Sequence, residues 1–280
     1  MPRGVTVRDA LDSARIAIAA AGSDTPRLDA EILLAHALGL DRTELFLRPE
    51  RAVEGPAIRA FQDLVRRRSA GREPVAYLVG RRAFRRIELH VDPRVLIPRP
   101  ETETLVEVGL ELPRGARVAD VGTGSGALAL ALKDERPDLD VIATDVSPAA
   151  LEVARGNAAR LRLDVTFLAA DLLDGVPPVD AVLSNPPYVA EADRRALARE
   201  ITDHEPDLAL FGGDDGMEVV RRLVAQAAAG HAGLVAVEVG EAQAGAVTAL
   251  LAAAGFATAV RADLAGIERV VVGRRWDGKR

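Results

Sequence analysis

The chain has 280 residues, a net charge of −6, 49% apolar residues, no cysteine and 4 histidines. Disulfides and thiolate metal sites are therefore excluded, and no apolar run reaches the ~20 residues of a membrane helix. The acidic balance weighs against broad nucleic-acid binding, which needs a basic face.

The opening segment MPRGVTVRDALDSAR lacks the uninterrupted apolar stretch of a signal peptide. The expectation is a cytoplasmic protein with no metal site, no membrane contact and no direct DNA partner. Residues 1–72 read as a small all-helical domain. Thr6 and Asp9 have the spacing of a capping box. Val7, Leu11, Ala14 and Ile18 come next at helical spacing, with Gly22 as a stop. Thr25-Pro26 offers an N-cap and a proline at the first helical position, ahead of Leu28, Ile32, Leu33 and Leu34. Gly39 ends that helix. Pro56 starts another, with Ile58, Phe61, Leu64 and Val65 on one side. Short amphipathic helices of this kind bury their stripes against each other. From Arg59 to Arg86 the chain has nine arginines and two acids, Asp63 and Glu73. This is either a solvated face or a docking surface for an acidic partner or RNA, with Arg59, Arg66, Arg67 and Arg68 as candidates.

Residues 73–97 read as a connector. Apolar residues alternate from Phe84 to Val91, which suits a β-hairpin, and Pro93, Pro98 and Pro100 stiffen the entry to the next domain. From 98 to 280 strand and helix patterns alternate. Strands are expected at 118–121, 141–144, 165–168, 179–183, 234–239, 256–260 and 269–272. Helices are expected at 127–135, 148–161 and 242–253. The pattern specifies an α/β fold, a parallel sheet covered on both faces. The last two strands have no helix between them and should pair antiparallel, one at or near the edge.

Gly122, Thr123, Gly124, Ser125 and Gly126 lie between the first strand of this sheet and its helix. Open α/β sheets bind ligands outside the carboxyl ends of their strands. The spacing G-x-G-x-G differs from the G-x-G-x-x-G that seats a pyrophosphate on a helix N-terminus. Asp145 ends the second strand, where a carboxylate can accept both hydroxyls of a ribose. Asp171 follows the third, within reach of an adenine amino group. Together they outline an adenosine site without a phosphate cradle, which suits S-adenosyl-L-methionine. After the fourth strand comes Ser184-Asn185-Pro186-Pro187-Tyr188-Val189. An amide or aromatic NH₂ is a poor nucleophile because its lone pair is delocalised. Two acceptors, the Asn185 side-chain oxygen and the Pro186 carbonyl, could hold such a nitrogen and stabilise the charge it develops. The prolines fix φ and keep the carbonyl aimed, and Tyr188 can pack on a planar group and attract a cation. The acceptor nitrogen could belong to a protein amide or to adenine N6. A module that binds the cofactor and only docks on a partner is a further alternative.

The segments VLIPRPETETLVE (95–107), DVGTGSGALALAL (120–132), ATDVSPAALEVARGNA (143–158), SNPPYV (184–189), HEPDLALFGGDDGM (204–217) and IERVVVGRR (267–275) run along the chain. With the helical N-terminal part, they resemble the bacterial N5-glutamine methyltransferases of peptide-chain release factors. NPPY alone is shared with DNA adenine methyltransferases. The resemblance implies a Rossmann-like class I methyltransferase sheet with an antiparallel C-terminal strand, behind a helical substrate-docking domain. It implies methyl transfer from S-adenosyl-L-methionine, leaving S-adenosyl-L-homocysteine, to the glutamine of a Gly-Gly-Gln motif, and so a role in translation termination. Carried across, Gly122–Gly126 and Asp145 bind the cofactor, and Asp171 and Leu172 flank adenine. Arg99, Pro100 and Glu101 line the methionine end. Asn185, Pro186, Pro187 and Tyr188 hold the glutamine amide. Some relatives have an aromatic residue where this chain has Leu172, which offers apolar contact only.

Overall fold

In the computed structural model residues 5–275 are described. The first four and last five residues lie outside them. The chain divides into two compact units. One holds the residues up to Arg81 together with Ala198–His204, and the other holds Arg82–Leu197 and the residues from Glu205 onward.

The first unit contains α1 (Val7–Ala20), α2 (Pro26–Leu38), α3 (Arg42–Leu47), α4 (Gly55–Ser69) and α5 (Val75–Val79). The capping box at α1 is formed. The Thr6 hydroxyl accepts from the Asp9 N–H at 3.2 Å, and the Asp9 carboxylate accepts from the Thr6 N–H at 3.1 Å. Such a cap satisfies donors that a helix start leaves unpaired. Val7, Ala10, Ala14 and Ile18 form the buried stripe. In α2 the stripe differs from the expected one. Leu28 is exposed, and Ala30, Leu33 and Leu34 carry the packing. Thr25 occupies the N-cap position but caps nothing, because its hydroxyl donates to Asp29 at 3.0 Å. Gly39 closes α2 in the left-handed conformation, φ 64°.

The basic run is corrected at one position. Arg68 is buried and turned inward, donating to Asp29 at 2.8 Å and to Glu200 at 3.1 Å. Apolar burial around a guanidinium requires such paired carboxylates. Arg67 chelates Glu73, while Arg59 and Arg66 stay exposed.

The second unit begins with the hairpin of β1 (Arg81–Phe84) and β2 (Ile87–His90). Next come α6 (Glu103–Leu110), β3 (Arg117–Val121), α7 (Ala127–Glu135), β4 (Asp140–Asp145), α8 (Pro148–Leu161), β5 (Thr166–Ala169) and β6 (Ala181–Ser184). After the excursion to α9 (Arg199–Thr202) come α10 (Glu218–Ala229), β7 (Leu234–Glu238), α11 (Ala244–Ala253), β8 (Ala257–Ala262) and β9 (Glu268–Arg274). The sheet order is β5-β4-β3-β6-β7-β9-β8. The strands β3 to β7 pair parallel, and β9 is antiparallel to both β7 and β8. Strands β6 and β7 are buried along their whole length, as inner parallel strands covered on both faces must be. Strand β8 is one of the two edges and is largely exposed, and β9 is threaded between it and β7. Among the described residues no helix is long and apolar enough to cross a membrane.

Candidate active site

The loop from Gly122 to Gly126 leaves β3 through three left-handed glycines, φ 74°, 56° and 85°. A side chain at Gly122 or Gly124 would be strained by φ, yet a Cβ there would meet no atom within 4 Å. The loop thus presents bare backbone to open space. It is stitched to β4 by the Gly122 and Thr123 N–H groups, which donate to the Thr144 carbonyl at 2.9 and 2.8 Å. Asp120 anchors it from beneath. One of its oxygens accepts from the Thr123 hydroxyl at 2.6 Å and from the Ala129 N–H at 3.1 Å. Burial pushes the Asp120 carboxyl up to about 7, although both hydrogen bonds oppose the shift.

Asp145 lies at the end of β4. Its two oxygens accept from the Gly124 N–H at 2.9 Å and the Ser147 N–H at 2.8 Å. Burial raises its pKa, and these backbone donors pull it back. Each carboxylate oxygen still has acceptor capacity for a hydroxyl. Leu172 sits at φ 59°, a left-handed conformation uncommon for a leucine, with its carbonyl held by the Thr144 hydroxyl at 2.9 Å. Asp171 is exposed and ion-paired with Arg222.

Asn185 follows β6, whose Ser184 hydroxyl is tied to the Val121 carbonyl at 2.7 Å. The Asn185 NH₂ group donates to the Thr102 hydroxyl oxygen at 3.0 Å. Its amide oxygen is thereby the end left to accept another donor. The clamp loop continues into a short parallel bridge. Val189 N–H donates to the Leu210 carbonyl at 2.9 Å, and Gly212 N–H to the Val189 carbonyl at 3.0 Å.

One cavity of about 290 Å³ opens beside these groups. It brings together Gly122, Gly124, Asp145, Asp171, Leu172, Asn185 and Pro187, and Arg94, Leu208 and Arg222 also line it. The side chains of the other expected site residues do not line it. The Thr123 hydroxyl is spent on Asp120, and the Ser125 carbonyl accepts from buried Asn157 at 3.0 Å. Gly126 starts α7 against Leu130 and Ala154. Pro186 is buried. Tyr188 packs its ring on Gly240, and burial raises its phenol pKa. Arg99 is ion-paired with Glu205, while Pro100 and Glu101 line a second cleft with Glu103, Glu107 and Arg261. Sequence reasoning assigned no role to Asp120, Thr102, Asn157 or Glu238. Asn157 bridges the Ser125 carbonyl to His90, taking the His90 N–H at 2.7 Å and reaching its carbonyl at 2.9 Å. A buried polar residue in the apolar part of a helix was the available signal for it.

The cavity fits an adenosyl ligand in its donor set: glycine backbone, a carboxylate with spare acceptors, and an apolar wall at Leu172. Residues 9–80 match a family described as the PrmC N-terminal domain, and residues 100–229 match the methyltransferase small domain. A protein of Deinococcus radiodurans named release factor glutamine methyltransferase is 44% identical, with 97% of this chain and 99% of that one covered. A protein of the same name from Mycolicibacterium smegmatis is 50% identical over 79% of each chain. In three dimensions, a methyltransferase from Pyrococcus furiosus shares the fold at a TM-score of 0.52 and 18% identity, covering 67% of this chain and 88% of that one.

Proposed function

We infer the reaction of this chain from one premise: it belongs to the family of release factor glutamine methyltransferases. It is an S-adenosyl-L-methionine-dependent enzyme that methylates the side-chain amide nitrogen, N5, of a glutamine in a release factor. The glutamine is that of the Gly-Gly-Gln motif, and the modification tunes translation termination in the cytoplasm.

The cofactor supplies a sulfonium methyl, the electrophile. Gly122, Gly124 and Asp145 hold its adenosine, with Leu172 against the base and Asp171 at the rim. The observation that carries this reading is the Asn185 amide, whose NH₂ is committed to Thr102 and whose oxygen is free to accept. That oxygen and the Pro186 carbonyl take the two N–H groups of the glutamine amide. They orient its nitrogen and favour the charge that develops as the methyl arrives. Orientation alone supplies a large part of a barrier reduction. Neither acceptor acts as a base beforehand, and the surplus proton leaves to solvent after attack. Pro187 and Tyr188 keep the loop rigid rather than take part in the transfer. Arg99, held by its ion pair with Glu205, supports the methionine end together with Pro100 and Glu101.

The helical part, residues 1–72, is the docking domain, residues 73–97 are the connector, and residues 98–280 carry the transfer. Exposed Arg59, and Arg66 beside its pair Asp63, offer positive charge to an acidic surface on the partner. Incubation of the full chain with cofactor and a release factor, followed by mass spectrometry, should find one methyl on the Gly-Gly-Gln glutamine. A methyl elsewhere, or none, overturns the reading. In the same assay, reversing the charges of Arg59 and Arg66 should raise KM for the release factor and leave kcat unchanged. An unchanged KM discards the docking role.

A further inference from the structure

We propose that Glu238 is a positioning residue that acts through Thr102 to decide which end of the Asn185 amide faces the substrate. The proposal rests on the clamp role assigned to Asn185 above.

An asparagine amide is nearly symmetric in shape, so packing alone cannot tell its oxygen from its nitrogen. Something must fix the polarity, because an inverted amide would present NH₂ to the NH₂ of the incoming glutamine. Two donors would then face each other, and the clamp would repel what it has to hold.

The fixing device we infer has three members. Asn185 donates to the Thr102 hydroxyl oxygen at 3.0 Å. The Thr102 side chain also faces the Glu238 carboxyl and favours its charged form, so the hydroxyl proton has a carboxylate to turn to. Glu238 ends β7 one residue past Val237, which is registered opposite Ser184 of β6. It is therefore the neighbour-strand counterpart of Asn185. Both Thr102 and Glu238 are buried, with 6% and 2% of their surface exposed. A hydroxyl has one proton. When that proton goes to the carboxylate, only lone pairs face Asn185, and only the NH₂ end of the amide fits against them. The amide oxygen is thereby turned away from Thr102.

The second oxygen of Glu238 is buried with no hydrogen-bond partner. A buried carboxyl in that condition costs stability that an apolar side chain at the end of β7 would not. Its chemistry gives a reason for its presence. As a carboxylate it can only accept. As a neutral acid it can donate to the Thr102 oxygen and release the hydroxyl proton toward Asn185, so that the inverted amide is tolerated. Burial and Glu101 favour the neutral acid, while Thr102, Arg99 and Arg269 favour the carboxylate, with Tyr188 also facing the group. The balance sets its pKa at about 7. Protonation of Glu238 therefore loosens the polarity of the clamp and leaves the cofactor cavity intact.

The test uses the full chain, the cofactor and a release factor. Thr102→Val keeps the shape and removes the acceptor for Asn185. We expect kcat to fall about tenfold or more, the worth of one well-placed hydrogen bond, with cofactor affinity by calorimetry unchanged. Thr102→Ser should recover most of the loss. Glu238→Gln, which can present either polarity at every pH, should lower kcat and abolish the acid limb of the kcat profile measured between about pH 5.5 and 8.5. Wild-type kcat in a Thr102→Val protein that binds cofactor normally overturns the proposal. If that variant does not fold, the pH profile decides, and an unaltered acid limb in Glu238→Gln overturns it instead. Asn185→Ala separates the two levels of inference. If Asn185→Ala turns over normally, the clamp itself is wrong. If it is slow while Thr102→Val is fast, only the positioning role is lost.

Discussion

Asp145 shows how one side chain serves structure and ligand together. Its two oxygens each hold a backbone N–H, one from the glycine loop and one from the start of α8. A carboxylate can do this and still accept two hydroxyls, because every lone pair is an acceptor. Asparagine cannot, since its NH₂ must face either Gly124 or Ser147 donor to donor. Asp145→Asn should therefore weaken binding of both S-adenosyl-L-methionine and S-adenosyl-L-homocysteine by about tenfold to a hundredfold, measured by calorimetry, with loss of one charge-assisted bond as the scale. Unchanged affinity for both ligands would remove Asp145 from the site. Asp145 and Asn185 were legible in the sequence because one ends a strand and the other directly follows one, each beside a turn signal. Glu238 was not, since LVAVEVG reads as one apolar strand and its acid shows no partner in sequence. Thr102 sits in a proline-rich stretch whose local turn does not reveal what it faces.

At the scale of elements, the clamp owes its shape to a neighbour. The stretch LFGGDDGM returns past Asn185–Val189 and pairs with it through Val189. A Cβ on Gly212 would fall on the Pro187 carbonyl oxygen, and it would also lie 2.6 Å from the carbonyl oxygen of Gly216. Backbone packs on backbone there, and any side chain must push the clamp loop aside. We expect Gly212→Ala to cost about 1–3 kcal/mol in unfolding free energy, the usual range for overpacking, and to reduce kcat more than it weakens cofactor binding. Denaturant melts and steady-state kinetics would check both, and an unperturbed variant would show that the loop yields freely. The sheet and α7, α8 and α11 were readable from period and caps. Helix α10 was not among the expected helices, although Val220, Leu223, Val224 and Ala227 lie at helical spacing on its buried side. Helix α6 was hidden by the prolines before it, and α3 and α5 are too short for periodicity to register. In α2 the run Ile32-Leu33-Leu34 masked which residues face inward, because neighbouring apolar positions fit more than one stripe.

For the whole molecule, the two buried acids set an unusual dependence on pH. Asp120 and Glu238 both have pKa values raised to about 7. The folded chain thus binds protons more tightly than the unfolded one between the ordinary carboxylate range and neutrality. Their contribution is fully present at low pH and is lost as pH rises through about 7. At the acid end the sign reverses. Asp92, held at about 2 by Arg94, stabilises the fold until pH falls below the ordinary range of an aspartate. The melting temperature should therefore peak at mildly acidic pH and decline toward pH 8 or so. Calorimetric scans of the double variant Asp120→Asn, Glu238→Gln should show a flatter decline, and an identical slope would exonerate both acids. Strand order carries one more consequence. Glu238 lies on β7, and the far side of β7 is completed by β9, with Val270 opposite Glu238. Every other strand precedes β9 in the chain. During synthesis on a ribosome, β7 emerges with one hydrogen-bonding edge bare, and pairing across such sequence distances is slow. The nascent protein can thus display its glycine loop and its asparagine long before it has a finished sheet to hold them. A chain cut short before the last strand keeps the right residues but leaves β7, and Glu238 with it, on an open edge.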